Sequence, residues 1–374
     1  MTQDPKTSAA ADTELHDVAQ LEAHRPNVIV TGSGGMIGYR VCQRLAECGY
    51  FVFGFDRVGF PEPPKGPFVR DVEFDATDYS NVRWAMEDVR KARGNKLASV
   101  VHLAAYYDFS GADSPMYEKV TVKGTDRLLN HLQGFELEQF LFSSTMLVHK
   151  PAEPGQHIDE SWPLEGTWAY PKSKIKTEKL ITEGHPHISS VLLRIAGVYT
   201  DWGEQPTLAQ QIKRIWDKDI FQSHMFPGDV RAGQALVHLE DCVEAIVAAV
   251  ERRNSIPPHT PILVGEPDPP SYGELQEMIA EELHGKDWAT VEIPEWFARV
   301  GAWAMEKAGN VVGQEAFIKP FMIARADDHY ALDITRAREL LGWEPKHDLR
   351  RELPKILAKL KDNPEEWFRK NGLD

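Results

Sequence analysis

The stretch Asn27–Gly38, NVIVTGSGGMIG, joins a short apolar run to three glycines spaced three residues apart. The apolar run is typical of a strand buried on both faces. Gly32, Gly35 and Gly38 then permit a sharp turn, a close approach of backbone to phosphate, and tight packing of the helix that begins near Met36 and Ile37. Such a turn is often only structural, but after a strand it predicts a dinucleotide-binding unit.

The same alternation of strand and helix continues to about residue 195. Amphipathic stretches of helical period separate the apolar runs. Near-continuous apolar strands that alternate with helices indicate a parallel sheet covered on both faces. With right-handed crossovers, the predicted fold is an α/β, Rossmann-like, doubly wound domain. The strands are predicted over NVIVT, FVFGFD, LASVVHLAA, EQFLFSS and ISSVLLRIAG.

The rhythm changes after residue 195, where tryptophan, proline and helical periodicity become more frequent. We therefore predict a flexible tail over 1–25, a dinucleotide-binding domain over 26–200, and a mainly substrate-binding, helix-rich portion with a C-terminal tail over 201–374. The segment 236–252 is expected to pack back onto the first domain. Helices are predicted near 206–217, 240–252, 272–284, 294–307 and 350–361.

Composition restricts the partners. A net charge of −15 argues against nucleic-acid binding, which needs a basic face. The three cysteines and 14 histidines show no ligand spacing, so we expect no metal. The N-terminal segment has no apolar run typical of a signal peptide or membrane anchor, so we expect a cytoplasmic protein that binds no membrane.

An acidic residue ends the second strand. A carboxylate at Asp56 could accept hydrogen bonds from both ribose hydroxyls and would repel a 2′-phosphate, which favours NAD over NADP. Arg57 could bind that phosphate, and Asp56 could also be a plain loop residue. In the stretch FDATD (74–78), Asp75 and Ala76 could contact adenine, or Asp75 could cap the next helix.

Seven motifs together resemble one family, the extended short-chain dehydrogenase/reductases of the NAD-dependent epimerase/dehydratase group. The resemblance covers about residues 27–345. It implies that Leu103, Ala104 and Ala105 let the cofactor lie flat on the end of a strand, whereas His102 is interpreted as structural. The motifs are TGSGGMIG, HLAA (102–105), FSST (142–145), YPKSK (170–174), LRIAGVY (193–199), LVHLEDC (236–242) and LGWEP (341–345).

The motif YPKSK sets Tyr170 and Lys174 one helical turn apart. A tyrosine has a pKa near 10, and a neighbouring ammonium can lower it toward operating pH. The resemblance implies that Tyr170 moves the hydroxyl proton during hydride transfer between nicotinamide C4 and a carbinol carbon. It also implies that Lys174 holds the nicotinamide ribose and that Thr145, with Ser144 as the alternative, donates to the reacting oxygen.

The chain departs from nucleotide-sugar epimerases at several positions. Thr121 stands where the family commonly has asparagine, and Gln234 stands where those epimerases often have arginine. LRIAGVY lacks the asparagine that binds diphosphate. Arg325 remains a candidate phosphate clamp. These departures weaken the assignment of a nucleotide-sugar substrate without replacing it.

Three functions stay open. The first is an NAD-dependent epimerase, with a nucleotide sugar as one candidate substrate. The second is a net dehydrogenase or reductase of a hydroxysteroid-like, aldehyde or ketone substrate. The third, which we rank last, is a non-catalytic dinucleotide sensor. Tyr107 lies in the loop 106–115 expected to border the substrate, and this loop with Trp202 and Phe226 hints at a less polar or ring-shaped substrate. The helices near 115–131 and 169–183 match the family's dimer face, so we expect a homodimer.

Overall fold

A seven-stranded parallel sheet forms the centre of the computed structural model, which describes residues 25–62, 66, 68–108, 111–217, 224–285, 288–293 and 325–373. The strand order is β7-β6-β5-β4-β1-β2-β3, and this sheet confirms the predicted α/β fold. The strands are β1 (Asn27–Thr31), β2 (Phe51–Asp56), β3 (Val69–Glu73), β4 (Ser99–His102), β5 (Phe140–Thr145), β6 (Ser190–Ile195) and β7 (Thr260–Val264).

Helices cover both faces of this sheet, and successive strand residues point to opposite sides. In β1, Val28 and Val30 belong to one apolar cluster and Ile29 belongs to another. This alternation explains why the strands are apolar throughout. The helices are α1 (Met36–Glu47), α2 (Tyr79–Arg93), α3 (Lys123–Leu132), α4 (Ala169–Lys179), α5 (Pro206–Trp216), α6 (Leu239–Glu251), α7 (Tyr272–His284), α8 (Thr335–Leu341), α9 (Leu349–Asp362) and α10 (Pro364–Lys370).

Segments from beyond residue 200 complete the sheet domain. Strand β7 pairs in parallel with β6, and helix α6 packs beside α1. Two ion pairs join these helices, Arg40 to Glu240 at 2.8 Å and Arg44 to Glu244 at 2.6 Å. The sheet domain therefore includes strand β7 and helix α6, which both come after residue 200 in the chain.

A third apolar cluster holds the helical portion together. It includes residues of α5, α7, α9 and α10, and the Trp367 side chain at its centre is fully buried. The predicted helix 294–307 lies outside the described residues, and so does the predicted N-terminal tail 1–25 apart from Arg25. Among the helices that are described, none combines the length and the apolar character needed to cross a membrane.

The topology fixes where a ligand can bind. The chain leaves β1 toward β2 and β3 on one side, and reaches β4 to β7 on the other. The order reverses between β1 and β4, and in open α/β sheets ligands bind at the carboxyl ends of the strands at such a point. The Gly-rich turn after β1 and the ends of β4, β5 and β6 all lie there.

Candidate active site

The Gly-rich turn after β1 has the shape of a phosphate-binding turn. Gly32 adopts a positive φ of 74°, which only glycine takes readily, and its N–H donates to the Phe55 carbonyl at 2.8 Å. A Cβ on Gly38 would collide with the Gly32 carbonyl, so α1 packs directly on the turn. Gly35 caps α1 without a side-chain hydrogen bond, which leaves the N–H groups of the first turn, from Met36 onward, available for an anion.

The carboxylate of Asp56 lies against this turn. Its Oδ2 accepts a hydrogen bond from the Gly34 N–H at 3.0 Å, and its Oδ1 accepts from the Val58 N–H at 3.2 Å. Each carboxylate oxygen keeps a lone pair for a further donor, such as a ribose hydroxyl. Arg57 next to it is exposed.

Asp75 and Ala76, the second and third residues after β3, lie at a local turn. Asp75 Oδ1 accepts from the Thr77 N–H at 2.8 Å, whereas Asp78 caps α2 by accepting from the backbone of Ser80 and Asn81. The alternative that Asp75 caps this helix is therefore wrong. Ala76 is buried against α3. Whether either residue contacts adenine stays a prediction.

His102 at the end of β4 is held on both ring nitrogens. Nδ1 lies 2.7 Å from the Thr31 hydroxyl, and Nε2 lies 2.9 Å from the Thr125 hydroxyl. Burial lowers the pKa of His102 to about 3, so the ring is neutral. The Thr31 hydroxyl also accepts from the Ala104 N–H at 3.1 Å. His102 therefore joins the ends of β1 and β4 to helix α3, just before Leu103, Ala104 and Ala105. This is the structural role that we expected for it.

A cavity of about 620 Å³ opens at the carboxyl ends of β4, β5 and β6 and extends to the helical portion. The glycines of the turn, Asp56, Arg57, Asp75, Ala76 and Ala104 are not part of its wall. Of the residues that we predicted for the site, the wall contains Met36, Ile37, Leu103, Ala105, Tyr107, Ser144, Thr145, Tyr170, Lys174 and Arg325.

Tyr170 lies in this wall among aromatic rings. The ring centroid of Tyr107 is 4.9 Å away in an edge-on arrangement, and that of Trp168 is 5.5 Å away. Burial raises the pKa of Tyr170 well above its usual value, with Tyr107 acting in the same direction and a hydrogen bond from Thr145 opposing it. We expected Lys174 to lower this pKa. The loss of water around the phenol dominates its pKa here, and the effect expected of Lys174 stays a prediction.

Lys174 is almost fully buried one turn along α4. Its Nζ donates to the Ser143 carbonyl at 2.6 Å and lies 5.7 Å from the centroid of the Tyr170 ring. Burial lowers the pKa of Lys174 to about 7, although Glu178 on the next turn acts to raise it. The charged and neutral forms are therefore both accessible near neutral pH.

The structure distinguishes the two candidate hydroxyls. Ser144 Oγ donates to Glu178 Oε1 at 2.5 Å, and Glu178 pairs with Arg194 at 2.7 Å. Thr145 lies on the cavity wall with Tyr170 and acts to lower the pKa of that phenol, and its Oγ1 accepts from the Leu147 N–H at 3.3 Å. Thr145 is therefore the hydroxyl that lies beside the phenol, and Ser144 belongs to a buried polar network behind it.

The helix around Thr121 is distorted, although threonine stands where the family commonly has asparagine. Residues Tyr117–Val122 form a π-helical segment ahead of α3, and Thr121 is fully buried within it. Its hydroxyl accepts from the Tyr106 N–H at 3.0 Å, while its carbonyl accepts from the Thr125 hydroxyl at 2.6 Å. The threonine thus links the distorted helix to the loop beside Tyr107.

Arg325 lies on the cavity wall beside Trp168, which also contacts Tyr170. Its guanidinium is 5.4 Å from the centroid of the Trp168 ring, donates to the Thr167 hydroxyl at 2.5 Å, and pairs with Asp328 at 3.5 Å. Phe226 also lines the cavity, but Trp202 packs among the C-terminal helices. Sequence reasoning missed further wall residues, which include Trp168, Gln205, Arg214, Tyr272 and Asp328.

A family of known proteins matches more than half of this chain. The model of the NAD dependent epimerase/dehydratase family matches residues 28–265. The chain belongs to this family. The family suggested by the sequence motifs is therefore confirmed.

Relatives within the NAD-dependent epimerase/dehydratase family are distant. Short-chain dehydrogenase/reductase family 42E member 1 of Macaca fascicularis is 23% identical, over 94% of this chain and 89% of that protein. The decarboxylating sterol-4-alpha-carboxylate 3-dehydrogenase of Candida albicans is 23% identical, over 86% of this chain and 94% of that protein. The crystal structure of UDP-glucuronic acid 4-epimerase from Bacillus cereus with UDP-glucuronic acid and NAD has a TM-score of 0.65 and 21% identity, over 90% of this chain and 99% of that chain. The structural likeness shows the fold.

Proposed function

We propose that this protein catalyses the NAD-dependent interconversion of a secondary alcohol and the corresponding carbonyl compound. The observation that carries the proposal is the grouping of Tyr170, Thr145 and Lys174 on one cavity wall, at the strand ends that follow the Gly-rich turn. A phenol that shares a cavity wall with a second hydroxyl can hold and transfer the proton of a substrate hydroxyl while that hydroxyl donates to the substrate oxygen. Family membership supports the same chemistry.

The residues around the turn fit the dinucleotide. The uncapped start of α1 would hold the pyrophosphate, Asp56 would accept from the adenosine ribose, and Lys174 would hold the nicotinamide ribose. NAD would supply the hydride acceptor at C4 of its nicotinamide ring. Tyr170 would take the hydroxyl proton in the oxidative direction and return it in the reductive one, while Thr145 would donate to the substrate oxygen.

Two substrate classes follow from different observations. An epimerase acting on a nucleotide sugar is supported by the likeness to UDP-glucuronic acid 4-epimerase and by Arg325 in the cavity wall. A net dehydrogenase of a hydroxysteroid-like substrate is favoured by the aromatic side chains of Tyr107, Trp168 and Phe226 around the cavity and by the sterol dehydrogenase relative.

Bound nucleotide separates the two. We expect an epimerase to retain NAD through purification, because the hydride returns to the same substrate and the cofactor never leaves. A net dehydrogenase must exchange it. Extraction of the purified protein followed by quantification of NAD tests whether the cofactor is retained. Conversion of UDP-glucose to its 4-epimer tests the epimerase, and absorbance of NADH after addition of NAD and a 3β-hydroxysteroid tests the dehydrogenase. A protein that binds no NAD would contradict both alternatives.

A further inference from the structure

Helix α5 places a basic side chain on the cavity wall away from Tyr170. The guanidinium of Arg214 donates to the Met225 carbonyl at 3.3 Å and to Gln276 Oε1 at 2.5 Å. It also lies 5.9 Å from the centroid of the Phe226 ring, which is 5.1 Å from the centroid of the Tyr272 ring. Arg214, Phe226 and Tyr272 all line the cavity, and we call this region the Arg214 end.

Arg214 differs in its partners from Arg194, which is buried, and from Arg325, which is partly buried. Arg194 pairs with Glu178 and Arg325 pairs with Asp328, so each has a carboxylate. Within the residues that the structure describes, Arg214 has only neutral partners, and its Nε is buried with no hydrogen-bond partner. Burial lowers the pKa of Arg214 to about 10, so the side chain still carries its charge at neutral pH.

A partly buried charge with no counter-ion among the described residues is costly, and the buried, unpaired Nε of Arg214 adds to that cost. A guanidinium has five N–H donors, and the two hydrogen bonds to Met225 and Gln276 leave about three of them for other acceptors. Its planar, forked geometry suits the paired oxygens of a carboxylate or a phosphate. A ligand with such a group would offset the uncompensated charge.

We propose that Arg214 binds an anionic group of the substrate, a carboxylate or a phosphate, at the end of the cavity formed with Phe226 and Tyr272. This inference rests on the proposed function only in taking the cavity as the substrate site. An anion bound at Arg325 would compete with Asp328, whereas Arg214 has no such competitor among the described residues. The substrate would extend from the hydroxyls of Tyr170 and Thr145 toward Arg214, with its anionic group remote from the reacting carbon.

Calorimetric titration of the full chain tests this assignment. The probes are pyrophosphate, uridine 5′-diphosphate and succinate, each added in the presence of saturating NAD so that the Gly-rich turn is occupied. The variants are Arg214→Met, Arg214→Lys, and Lys213→Met as a control for disturbance of α5. Loss of one charged hydrogen-bonding partner typically weakens binding by about ten- to a hundredfold.

We expect at least one probe to bind the wild type, Arg214→Met to weaken that binding at least about tenfold, and Lys213→Met to leave it nearly unchanged. Arg214→Lys should retain part of the affinity, because the charge remains while the fork is lost. The preferred probe distinguishes phosphate from carboxylate. Equal affinities in the wild type and Arg214→Met would overturn the inference, as would a wild type that binds none of the three anions.

The same samples separate this inference from the proposed function. NAD is titrated first into each variant. If NAD binds normally but the affinity for the anions is the same in the wild type and in Arg214→Met, only the anion site is refuted. If the wild type fails to bind NAD while Arg214→Met still loses the anion, the redox function is refuted and the anion site stands.

Discussion

Ser144 Oγ donates a 2.5 Å hydrogen bond to Glu178 Oε1, on the helix that carries Tyr170 and Lys174. Glu178 in turn pairs with Arg194 on β6, and both side chains are about 6% exposed. This buried network ties β5, α4 and β6 together directly behind the part of the cavity wall that holds Tyr170 and Thr145. It therefore sets where the phenol stands relative to Thr145.

The two neighbouring hydroxyls can be tested as a matched pair. Thr145→Val removes the hydroxyl beside Tyr170, and we expect turnover to fall about a hundredfold or more, as for the loss of a donor to a reacting oxygen. Ser144→Ala removes a hydrogen bond to Glu178 and should lower the free energy of unfolding by about 1 kcal/mol while turnover changes far less. Steady-state kinetics and urea unfolding of both variants check this. Equal losses of turnover would contradict the distinction.

The Glu178–Arg194 pair should matter for stability. Glu178→Gln leaves Arg194 buried without a charged partner, and we expect the free energy of unfolding to fall by about 3 to 5 kcal/mol. Glu87→Gln is the control, since Glu87 pairs with Arg83 on the exposed face of α2, where ion pairs contribute little. Urea unfolding measures both. A Glu178→Gln variant as stable as the control would show that the network is not structural.

Lys174 predicts a dependence of stability on pH. Its pKa is lowered from 10.5 in the unfolded chain to about 7 in the fold. Below about pH 7 both states are protonated and the full cost of burying the ammonium is present; as pH rises from there toward 10.5, only the unfolded state holds the proton, so stability increases. Relative to Lys174→Met, the wild type should gain about 2 kcal/mol between about pH 7 and pH 9. A difference that does not change with pH would contradict the buried, neutralised lysine.

Cofactor preference should depend on Asp56. Asp56→Asn removes the charge that would repel a 2′-phosphate, so we expect the ratio of the dissociation constants of NADP and NAD to fall about tenfold. Arg57→Met is the control and should move the ratio in the opposite direction or not at all. Fluorescence titration with both nucleotides measures it. An unchanged ratio in Asp56→Asn would mean that this carboxylate serves only to brace the turn through Gly34.

Local patterns were enough to predict the parts of the site that depend on sequence spacing. The glycines of the turn lie within one stretch of seven residues, and Tyr170 and Lys174 are one helical turn apart. Each set lies on a single local element, so the sequence alone predicts that its members are close together. The apolar runs predicted the strands for the same reason. The helices α5, α6, α7 and α9 begin within one residue of their predicted starts.

Contacts between distant segments could not be predicted in this way. Ser144 contacts Glu178 across two elements, and nothing in FSST shows which hydroxyl is bound to this carboxylate. Arg214 follows Lys213 in an amphipathic helix, where a basic pair usually indicates a solvated face. Its partner Gln276 lies on another helix, so only the tertiary fold places the charge in the cavity wall. Burial raises the pKa of Tyr170, and this burial depends on the whole fold, so the motif alone could not predict it.

The most direct test of the central claim is the turnover of Tyr170→Phe, measured beside its affinity for NAD. The substrate is whichever of UDP-glucose or a 3β-hydroxysteroid the wild type converts. We predict that turnover falls at least about a hundredfold while the dissociation constant for NAD changes less than about threefold. Turnover at the wild-type rate in Tyr170→Phe would contradict the assignment of Tyr170 as the acid and base.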